Sequence, residues 1–251
     1  MVLNTEGIIL RQTRMVQGRR MILLFTKEYG KLSVGTNIGD KGRSKSSLAL
    51  KPFTYGNYQI FEGRNYYELD RADAITSYYL IGEDLDRYAS AAYALELTEK
   101  LIPEGLPQPA VFDLLLDFLG ELEQRKKKYE TLLIAYEIKL LRILGEFPVL
   151  DSCASCGKKE DFTYFSVSEG GVLCKECAER QKLNDQQPLI FQIDFDTIKV
   201  INYFVKTPLR SFSGIALSDD VSHRIQSIMK AYMGYHFDLG KLKSEGLFYV
   251  T

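Results

Sequence analysis

The sequence predicts an α+β protein, in which a small N-terminal β-barrel is followed by an α-helical domain with an inserted zinc ribbon. Short runs of strand character, separated by turn signals, occupy residues 1–79. From residue 82 onward the apolar residues follow the 3.6-residue period of amphipathic helices. All four cysteines lie in two close pairs near residues 150–180. We therefore expect two domains, 1–79 and 80–251.

Five short strands are predicted in the first domain. Runs of branched and aromatic residues are separated by glycine-containing turns at intervals of about 8–12 residues, which is typical of a small barrel or sandwich. Five strands in so short a segment suit an OB-type barrel, whose open face and loops hold oligonucleotides. The predicted strands are Gly7–Arg11, Met21–Thr26, Lys31–Gly35, Phe53–Phe61 and Asn65–Leu69.

Four tyrosines near the last two predicted strands allow two interpretations. Tyr55, Tyr58, Tyr66 and Tyr67 can stack on nucleobases, which contributes about 1–3 kcal/mol per base. Aromatic residues on strands also fill barrel cores or cover sheet surfaces. For any single tyrosine the packing interpretation is favoured, and stacking stays open for the group.

The positive charge of the chain is concentrated in one segment. Between Arg11 and Lys51 there are ten lysines and arginines and two acids, a net of about +8 in a chain whose formal charge is −1. This asymmetry indicates a polyanionic partner such as nucleic acid, and an ordinary solvated basic face is the alternative. The candidate nucleic-acid-binding residues are Arg11, Arg14, Arg19, Arg20, Lys31, Lys41, Arg43, Lys45 and Lys51.

Part of this charge lies in a loop that is predicted to be flexible. Residues 39–51 are rich in glycine and serine and carry Lys41, Arg43 and Lys45, a composition that can follow a phosphate backbone and release its counterions. The loop does not match a P-loop, because Arg43 stands where lysine is required and Asn37 where the first glycine belongs. Nucleotide hydrolysis is therefore not expected.

Five amphipathic helices are predicted after the barrel. Apolar residues recur at intervals of three and four positions, and Gly145 followed by Pro148 ends the third helix. Ser218 and Asp219 are expected to cap the fifth. The predicted helices are 85–101, 111–122, 131–144, 194–204 and 219–235.

The cysteines have the spacing of a zinc ribbon. Cys153 and Cys156 form one C-x-x-C pair and Cys174 and Cys177 a second, with seventeen residues between the pairs. Residues 162–173 are predicted to form a strand, a glycine-rich turn and a second strand, which would bring the second pair beside the first. Because four thiolates leave Zn²⁺ no open position, the site is predicted to be structural. The nearby cations expected to offset its charge are Lys158, Lys159, Lys175 and Arg180.

Other interpretations of the cysteines are weaker. Two disulfides would require an oxidising compartment, and no secretory segment is visible. A redox C-x-x-C pair would leave the other pair unexplained. A deaminase site needs H-x-E and P-C-x-x-C, but neither His223 nor His236 begins the first motif and Ser152 precedes the first pair. No apolar run approaches the roughly 18 residues of a membrane span, so a cytoplasmic protein without membrane contact is expected.

Several stretches, taken in order, resemble the bacterial recombination protein O (RecO) family. The resemblance covers nearly the whole chain. It implies an N-terminal OB-fold domain and a helical domain with a zinc ribbon inserted between helices. The stretches that carry it are Phe25–Ser33, the basic loop ending in Leu50–Phe53, Tyr136–Glu137, Leu140–Leu141, Leu144–Gly145, the cysteine pairs and Leu239–Ser244.

The resemblance also implies a function. It implies binding of single- and double-stranded DNA, annealing of complementary strands, and help in loading the RecA recombinase onto DNA coated by single-strand binding protein (SSB). The implied partners are RecR and the acidic, Phe-ended C-terminal tail of SSB. We therefore expect a non-enzymatic, nucleoid-associated mediator with structural Zn²⁺. A protein-binding scaffold is the alternative, and a metalloenzyme is disfavoured because four thiolates leave no open coordination position.

Overall fold

The computed structural model describes residues 1–14, 20–38, 45–184 and 189–249. Its internal contacts form two compact units. Met1–Tyr129 together with Leu242–Thr251 make unit 1, and Glu130–Lys241 make unit 2. This grouping does not follow the predicted limits of 1–79 and 80–251, because the first helices after the barrel and the C-terminal segment pack within unit 1.

Unit 1 contains the predicted five-stranded barrel. The strands close in the order β1-β2-β3-β5-β4. Antiparallel ladders join all neighbours except β3 and β5, which close the barrel through a short parallel ladder from Val34↔Tyr67 to Gly35↔Glu68. The strands are β1 (Val2–Arg14), β2 (Arg20–Thr26), β3 (Gly30–Thr36), β4 (Thr54–Glu62) and β5 (Tyr67–Ser77).

A short helix, α1 (Lys45–Ala49), precedes β4 and contributes to the barrel core. Ala49 and Leu50 are buried there, so the C-terminal part of the loop predicted to be flexible is folded. Tyr58 is 1 % exposed, and its hydroxyl donates a hydrogen bond of 2.7 Å to the Ala49 carbonyl. The packing interpretation is thus confirmed for Tyr58. The apolar core comprises Leu3, Ile9, Ile22, Leu24, Leu32, Val34, Ala49, Leu50, Tyr58, Ile60, Leu69 and Ala72.

Two helices, α2 (Leu85–Leu101) and α3 (Pro109–Gln124), match the first two predicted helices. Helix α2 packs beside β1, and α3 lies against the outer surface of β2, where Phe25 meets the ring of Phe112 edge-on at 5.4 Å. At Gly30 the backbone has φ +70° and passes so close to Leu106 that a Cβ would lie 2.4 Å from its carbonyl oxygen. Only glycine accommodates both conditions. This part of the barrel surface is therefore covered by protein.

The C-terminal segment, a 3₁₀ helix over Lys243–Tyr249, is fastened to α2. The Glu96 carboxylate accepts hydrogen bonds from the backbone N–H groups of Lys243 (3.0 Å) and Ser244 (2.8 Å) and from the Ser244 hydroxyl (2.6 Å). Partial burial raises the pKa of Glu96, but the Ser244 and Lys243 hydrogen bonds outweigh it and hold that pKa below its usual value. Glu96 is therefore ionised and caps the segment.

Unit 2 contains a three-stranded sheet between helices. The sheet order is β7-β6-β8, and β6 and β7 form the predicted hairpin. Helix α5 and strand β8 were not predicted. The elements are α4 (Tyr129–Leu144), β6 (Phe162–Ser166), β7 (Gly171–Cys174), α5 (Lys175–Asn184), β8 (Ile190–Gln192), α6 (Phe195–Lys206) and α7 (Asp219–His236).

The prediction that Ser218 and Asp219 cap α7 is wrong about the capping hydrogen bond. Ser218 occupies the N-cap position, but its side chain makes no capping hydrogen bond. Asp219 and Asp220 instead place two carboxylates in the first turn, where the helix dipole favours negative charge. A side-chain cap is present at α6, where Asp194 accepts from the Thr197 N–H at 2.7 Å.

The hydrogen bond from the Tyr58 hydroxyl to the Ala49 carbonyl is predicted to stabilise the fold. Tyr58→Phe leaves the buried Ala49 carbonyl without this donor, so we expect the free energy of unfolding to fall by about 1–2 kcal/mol. Urea denaturation followed by circular dichroism measures the change. Tyr79→Phe is the matched control, because Tyr79 is 68 % exposed and should lose nothing. Equal stability of the two variants would contradict the assignment.

Candidate metal centre and nucleic-acid interface

The first cysteine pair lies in a tight turn before β6. The Cys153 N–H donates to the Lys158 carbonyl at 2.7 Å, and the Gly157 N–H donates to the Cys153 carbonyl at 2.8 Å. Gly157 has φ +75°, the left-handed conformation that glycine adopts at little cost. The sequence C-x-x-C-G therefore closes a turn with both thiols on it.

The second pair lies where the hairpin meets α5. Cys174 is the last residue of β7, and Cys177 falls in the first turn of α5. The Cys174 N–H points at the Cys153 sulfur, with a donor–acceptor distance of 3.4 Å. The hairpin thus brings the two pairs together, as predicted from the strand–turn–strand pattern.

The sulfur geometry fits one tetrahedral ion. The four Sγ atoms all lie within 4.8 Å of one another, and the Cys156 and Cys174 sulfurs are 3.8 Å apart. Zn–S bonds of about 2.3 Å place the sulfurs of a tetrahedral site about 3.8 Å apart. All four cysteines are free thiols, three of them buried and Cys156 exposed. This cluster can hold a metal ion, and four sulfur ligands leave such an ion no coordination position for a substrate.

The surroundings favour thiolate at part of the cluster. Burial raises the pKa of Cys153, but N–H groups of Cys174, Cys156 and Ser155 point at its sulfur and lower that pKa to about 6. Burial raises the pKa of Cys174 to about 11. Sulfurs this close cannot all ionise without a cation between them. A divalent ion would supply the missing positive charge.

One of the cations predicted to offset the cluster's charge contacts a sulfur. Arg180 donates from Nη2 to Cys177 Sγ at 3.0 Å, and this hydrogen bond raises the pKa of the guanidinium. Lys158 instead pairs with Asp161 at 3.0 Å, and Lys175 lies 3.9 Å from Glu179. Of these three cations, Arg180 is therefore the one whose charge offsets that of the cysteine cluster.

Two of the predicted nucleic-acid-binding residues are buried. Arg20 is 8 % exposed and donates to the Ile38 carbonyl. Lys31 is also 8 % exposed, and its ammonium donates to the Glu99 carbonyl in the last turn of α2 at 2.5 Å. Burial lowers the pKa of Lys31, against the opposing effect of the Glu104 and Glu99 carboxylates. Both cations serve packing in this structure, and neither presents its charge to solvent.

Arg11 and Lys51 lie at the surface. The Arg11 side chain remains 57 % exposed and pairs with the Glu99 carboxylate at 3.0 Å. Lys51 is exposed directly after α1 and lines the same groove as Arg11. Arg14 and Lys45 are described only as the last residue of β1 and the first of α1. Arg19, Lys41 and Arg43 lie outside the described residues.

The other tyrosines considered for stacking differ in exposure. Tyr66 is exposed beside Phe61, with ring centroids 6.3 Å apart. Tyr55 and Tyr67 are half-buried, and Tyr55 meets Phe112 edge-on at 6.1 Å. Stacking on a base therefore remains a prediction for these three, and Tyr66 offers the most open ring among them.

Two functional contacts were not singled out from the sequence. Glu96 holds the C-terminal segment, and Glu99 pairs with Arg11. No local signal could have found them, because their partners are 88 to 148 residues away in the chain.

Two family models together match almost the whole chain. The model described as "Recombination protein O N terminal" matches residues 1–78, and "Recombination protein O C terminal" matches residues 82–246. This chain belongs to the recombination protein O (RecO) family. The resemblance noted in the sequence is thereby confirmed, and the barrel is the OB-fold domain of the family.

Curated RecO-family relatives agree with this assignment. A "DNA repair protein RecO" of Thermoanaerobacter sp. (strain X514) is 32 % identical over 238 residues, covering 95 % of this chain and 94 % of the relative. The protein of the same name from Caldanaerobacter subterraneus is 31 % identical over 94 % of each chain. That of Bacillus pumilus is 35 % identical over 70 % of this chain and 69 % of the relative. RecO membership supports a role in DNA repair and recombination.

Membrane insertion through a helix finds no support in the structure. Among residues 1–14, 20–38, 45–184 and 189–249, no helix combines the length and the apolar character that a bilayer crossing demands.

The position of Lys31 predicts a structural role for it in this RecO-family chain. Lys31→Met keeps the apolar stem but leaves the Glu99 carbonyl without its donor. We expect the free energy of unfolding to fall by about 1–3 kcal/mol, with DNA affinity unchanged in the folded fraction. Denaturant titration and fluorescence anisotropy of a labelled oligonucleotide measure the two quantities.

Lys27→Met is the matched control for Lys31→Met. Lys27 belongs to the same hairpin and pairs with Asp113 at 3.0 Å, but both side chains are substantially exposed. Exposed ion pairs contribute little to stability. A Lys31→Met protein of unchanged stability with much weaker DNA binding would show that Lys31 contacts DNA after all.

Proposed function

We propose that this chain is a non-enzymatic, DNA-binding recombination mediator of the RecF-pathway type. It binds single- and double-stranded DNA, anneals complementary strands, and helps to load RecA onto SSB-coated DNA together with RecR. The observation that carries the proposal is the match to both RecO family models over almost the whole chain. A protein-binding scaffold whose DNA contacts are incidental is the competing function.

The basic segment of the barrel is the proposed contact with phosphates. Its surface cations release counterions from the DNA backbone, which makes binding strong at low salt and steeply salt-dependent. Because Arg20 and Lys31 are buried, we assign the contact to the remaining seven candidates. These are Arg11, Arg14, Arg19, Lys41, Arg43, Lys45 and Lys51.

The proposed partners and location follow from the family. RecR and the C-terminal tail of SSB are the protein partners, and the protein works in the cytoplasm at the nucleoid. An acidic tail is attracted to a chain whose charge is locally positive.

We propose Zn²⁺ as the resident ion of the four-cysteine cluster. The all-sulfur donor set and the tetrahedral spacing of the Sγ atoms suit Zn²⁺. Cys153, Cys156, Cys174 and Cys177 would hold it, and Arg180 would offset part of the resulting negative charge. When bound, the ion would cross-link the turn that carries Cys153 and Cys156 to β7 and α5. It would supply no catalytic chemistry.

The DNA proposal predicts the effect of reversing charge on the basic segment. A triple variant, Arg19→Glu, Arg43→Glu and Lys45→Glu, should weaken single-strand binding roughly 100-fold and reduce the slope of log K against log[salt] by about two. Anisotropy titrations of a labelled oligonucleotide at several salt concentrations measure both.

A second triple variant controls for net charge. Lys206→Glu, Arg210→Glu and Lys241→Glu make the same charge change at exposed positions of unit 2. It should leave the salt slope unchanged. If both triple variants bind DNA as the native protein does, the barrel has no part in DNA binding and the scaffold function is favoured.

The zinc proposal predicts metal-dependent stability. The purified protein should contain about one zinc per chain, and chelation should lower the melting temperature by at least roughly 10 °C, because the binding energy of structural zinc is folding energy. Elemental analysis and calorimetry with and without chelator measure this. Cys174→Ser should reproduce the chelated protein, whereas Ser152→Ala should not. Superimposable melts with and without chelator would refute the role.

A further inference from the structure

A groove in unit 1 lies beside β1, on the surface of α2. Its lining includes the apolar or aromatic side chains of Leu10, Phe53, Tyr88 and Leu95 and the cationic side chains of Lys100 and Lys243. We call it the α2 groove. Its volume is ≈ 570 Å³, within the range of about 300–1,000 Å³ that is typical of small-ligand sites. It therefore has the size and mixed lining of a binding site.

The charge around the α2 groove favours an anionic ligand. Two carboxylates line it, and both already have partners. Glu96 accepts three hydrogen bonds from Lys243 and Ser244, and Glu99 pairs with the guanidinium of Arg11, which is itself one of the groove's cations, so the positive side chains exceed the two carboxylates by two. Four cationic side chains line the same groove: Arg11, Lys51, Lys100 and Lys243.

The lining of the groove includes a residue with strained backbone and an oriented aromatic ring. Phe53 has φ +57°, a left-handed conformation that bulky residues avoid. Its carbonyl accepts from the Tyr78 N–H at 3.0 Å, and its ring meets that of Tyr88 edge-on at 5.3 Å. Tyr88 itself is 37 % exposed. Strained backbone is concentrated at ligand sites, where it fixes the geometry of contacting groups.

We propose that the α2 groove binds one unstacked nucleotide of a single-stranded nucleic acid, with Tyr88 stacking on the base and Lys100 and Lys243 holding the adjacent phosphates. Stacking on an aromatic ring accepts any base, which suits a strand of arbitrary sequence. A duplex keeps its bases paired and stacked, so it cannot supply one to the groove. This inference rests on the proposed DNA-binding function and adds a site that distinguishes single strands from duplexes.

Nucleic acid fits the groove better than an acidic peptide does. Arg11 and Lys51, both on the groove, belong to the basic segment that runs from residue 11 to residue 51. The groove therefore shares two cations with the proposed phosphate contact, which links it to the same polyanionic ligand.

The absence of tryptophan from the sequence allows a direct test. Tyr88→Trp in the full-length protein introduces a single tryptophan that retains the stacking surface. We expect its fluorescence to be quenched by a dT oligonucleotide and to be unchanged by a blunt duplex of equal length. Tyr79→Trp, at the exposed tyrosine before α2, is the control and should not respond to either.

Affinity measurements separate stacking from charge. Tyr88→Ala should weaken binding of the dT oligonucleotide about tenfold, the loss of one stacked base, and leave duplex binding unchanged. Its salt slope should stay the same, because no phosphate contact is removed. Lys100→Gln should reduce the single-strand slope by about 0.7. A thermal melt of each variant checks its folding, and the fluorescence of the Tyr88→Trp variant decides the case if Tyr88→Ala is unfolded.

The outcomes distinguish this site from the proposed function. If the native protein binds neither DNA, the proposed function fails and the groove proposal fails with it. A different result is that the native protein binds both the oligonucleotide and the duplex, while the oligonucleotide leaves the fluorescence of Tyr88→Trp unchanged and Tyr88→Ala binds it with native affinity. In that case DNA binding stands and the groove is excluded as a nucleotide site. If a synthetic Asp/Phe peptide quenches the Tyr88→Trp variant and the oligonucleotide does not, the groove belongs to a protein partner and the proposal is overturned.

Discussion

The buried ammonium of Lys31 is the contact on which the arrangement of unit 1 depends. It reaches from strand β3 to the Glu99 carbonyl at the C-terminal end of α2, where unpaired carbonyls and the helix dipole favour a cation. A buried charge of this kind is tolerated only where it is hydrogen-bonded. Together with the close approach of Gly30 to Leu106, it holds the helices against the barrel.

That docking changes where the barrel can meet a ligand. In an OB-type barrel the surface of strands 2 and 3 is a common oligonucleotide face. Here Leu23 and Phe25 on that surface are buried, and the Phe25 ring packs on α3. The open face expected from the sequence is therefore in part an internal contact. Among the candidate cations whose side chains the structure describes, Arg11 and Lys51 stay accessible, on the side of the barrel that α2 borders.

Local patterns in the sequence were sufficient for elements whose signal is local. The apolar period predicted α2, α3, α4, α6 and α7, and the cysteine spacing with its Gly-rich turn predicted the sulfur cluster. Helix α5 was not predicted because Lys175–Asn184 carries almost no apolar stripe. Helix α1 was not predicted because five residues are too few to show a helical period. The burial of Lys31 was not predicted for a different reason, because the carbonyl that accepts its hydrogen bond is 68 residues away in the chain. A count of charges is also the same whether a lysine faces water or the end of a helix.

The two kinds of chemistry in this chain are assigned to different units, and the properties of the residues explain why. Four thiolates around one ion form a closed site that can cross-link unit 2 but offers nothing to a ligand. In unit 1 part of the aromatic surface is used inside the barrel or between strand and helix, as Tyr58 and Phe25 show, whereas Tyr66 stays exposed. The buried rings cannot stack on a base, so stacking is open only to exposed rings such as Tyr66 and Tyr88. Of these two, Tyr88 differs in that its ring meets Phe53 edge-on and lines a groove that also carries cationic side chains, so stacking and phosphate contacts can be made at one place on the helix beside the barrel.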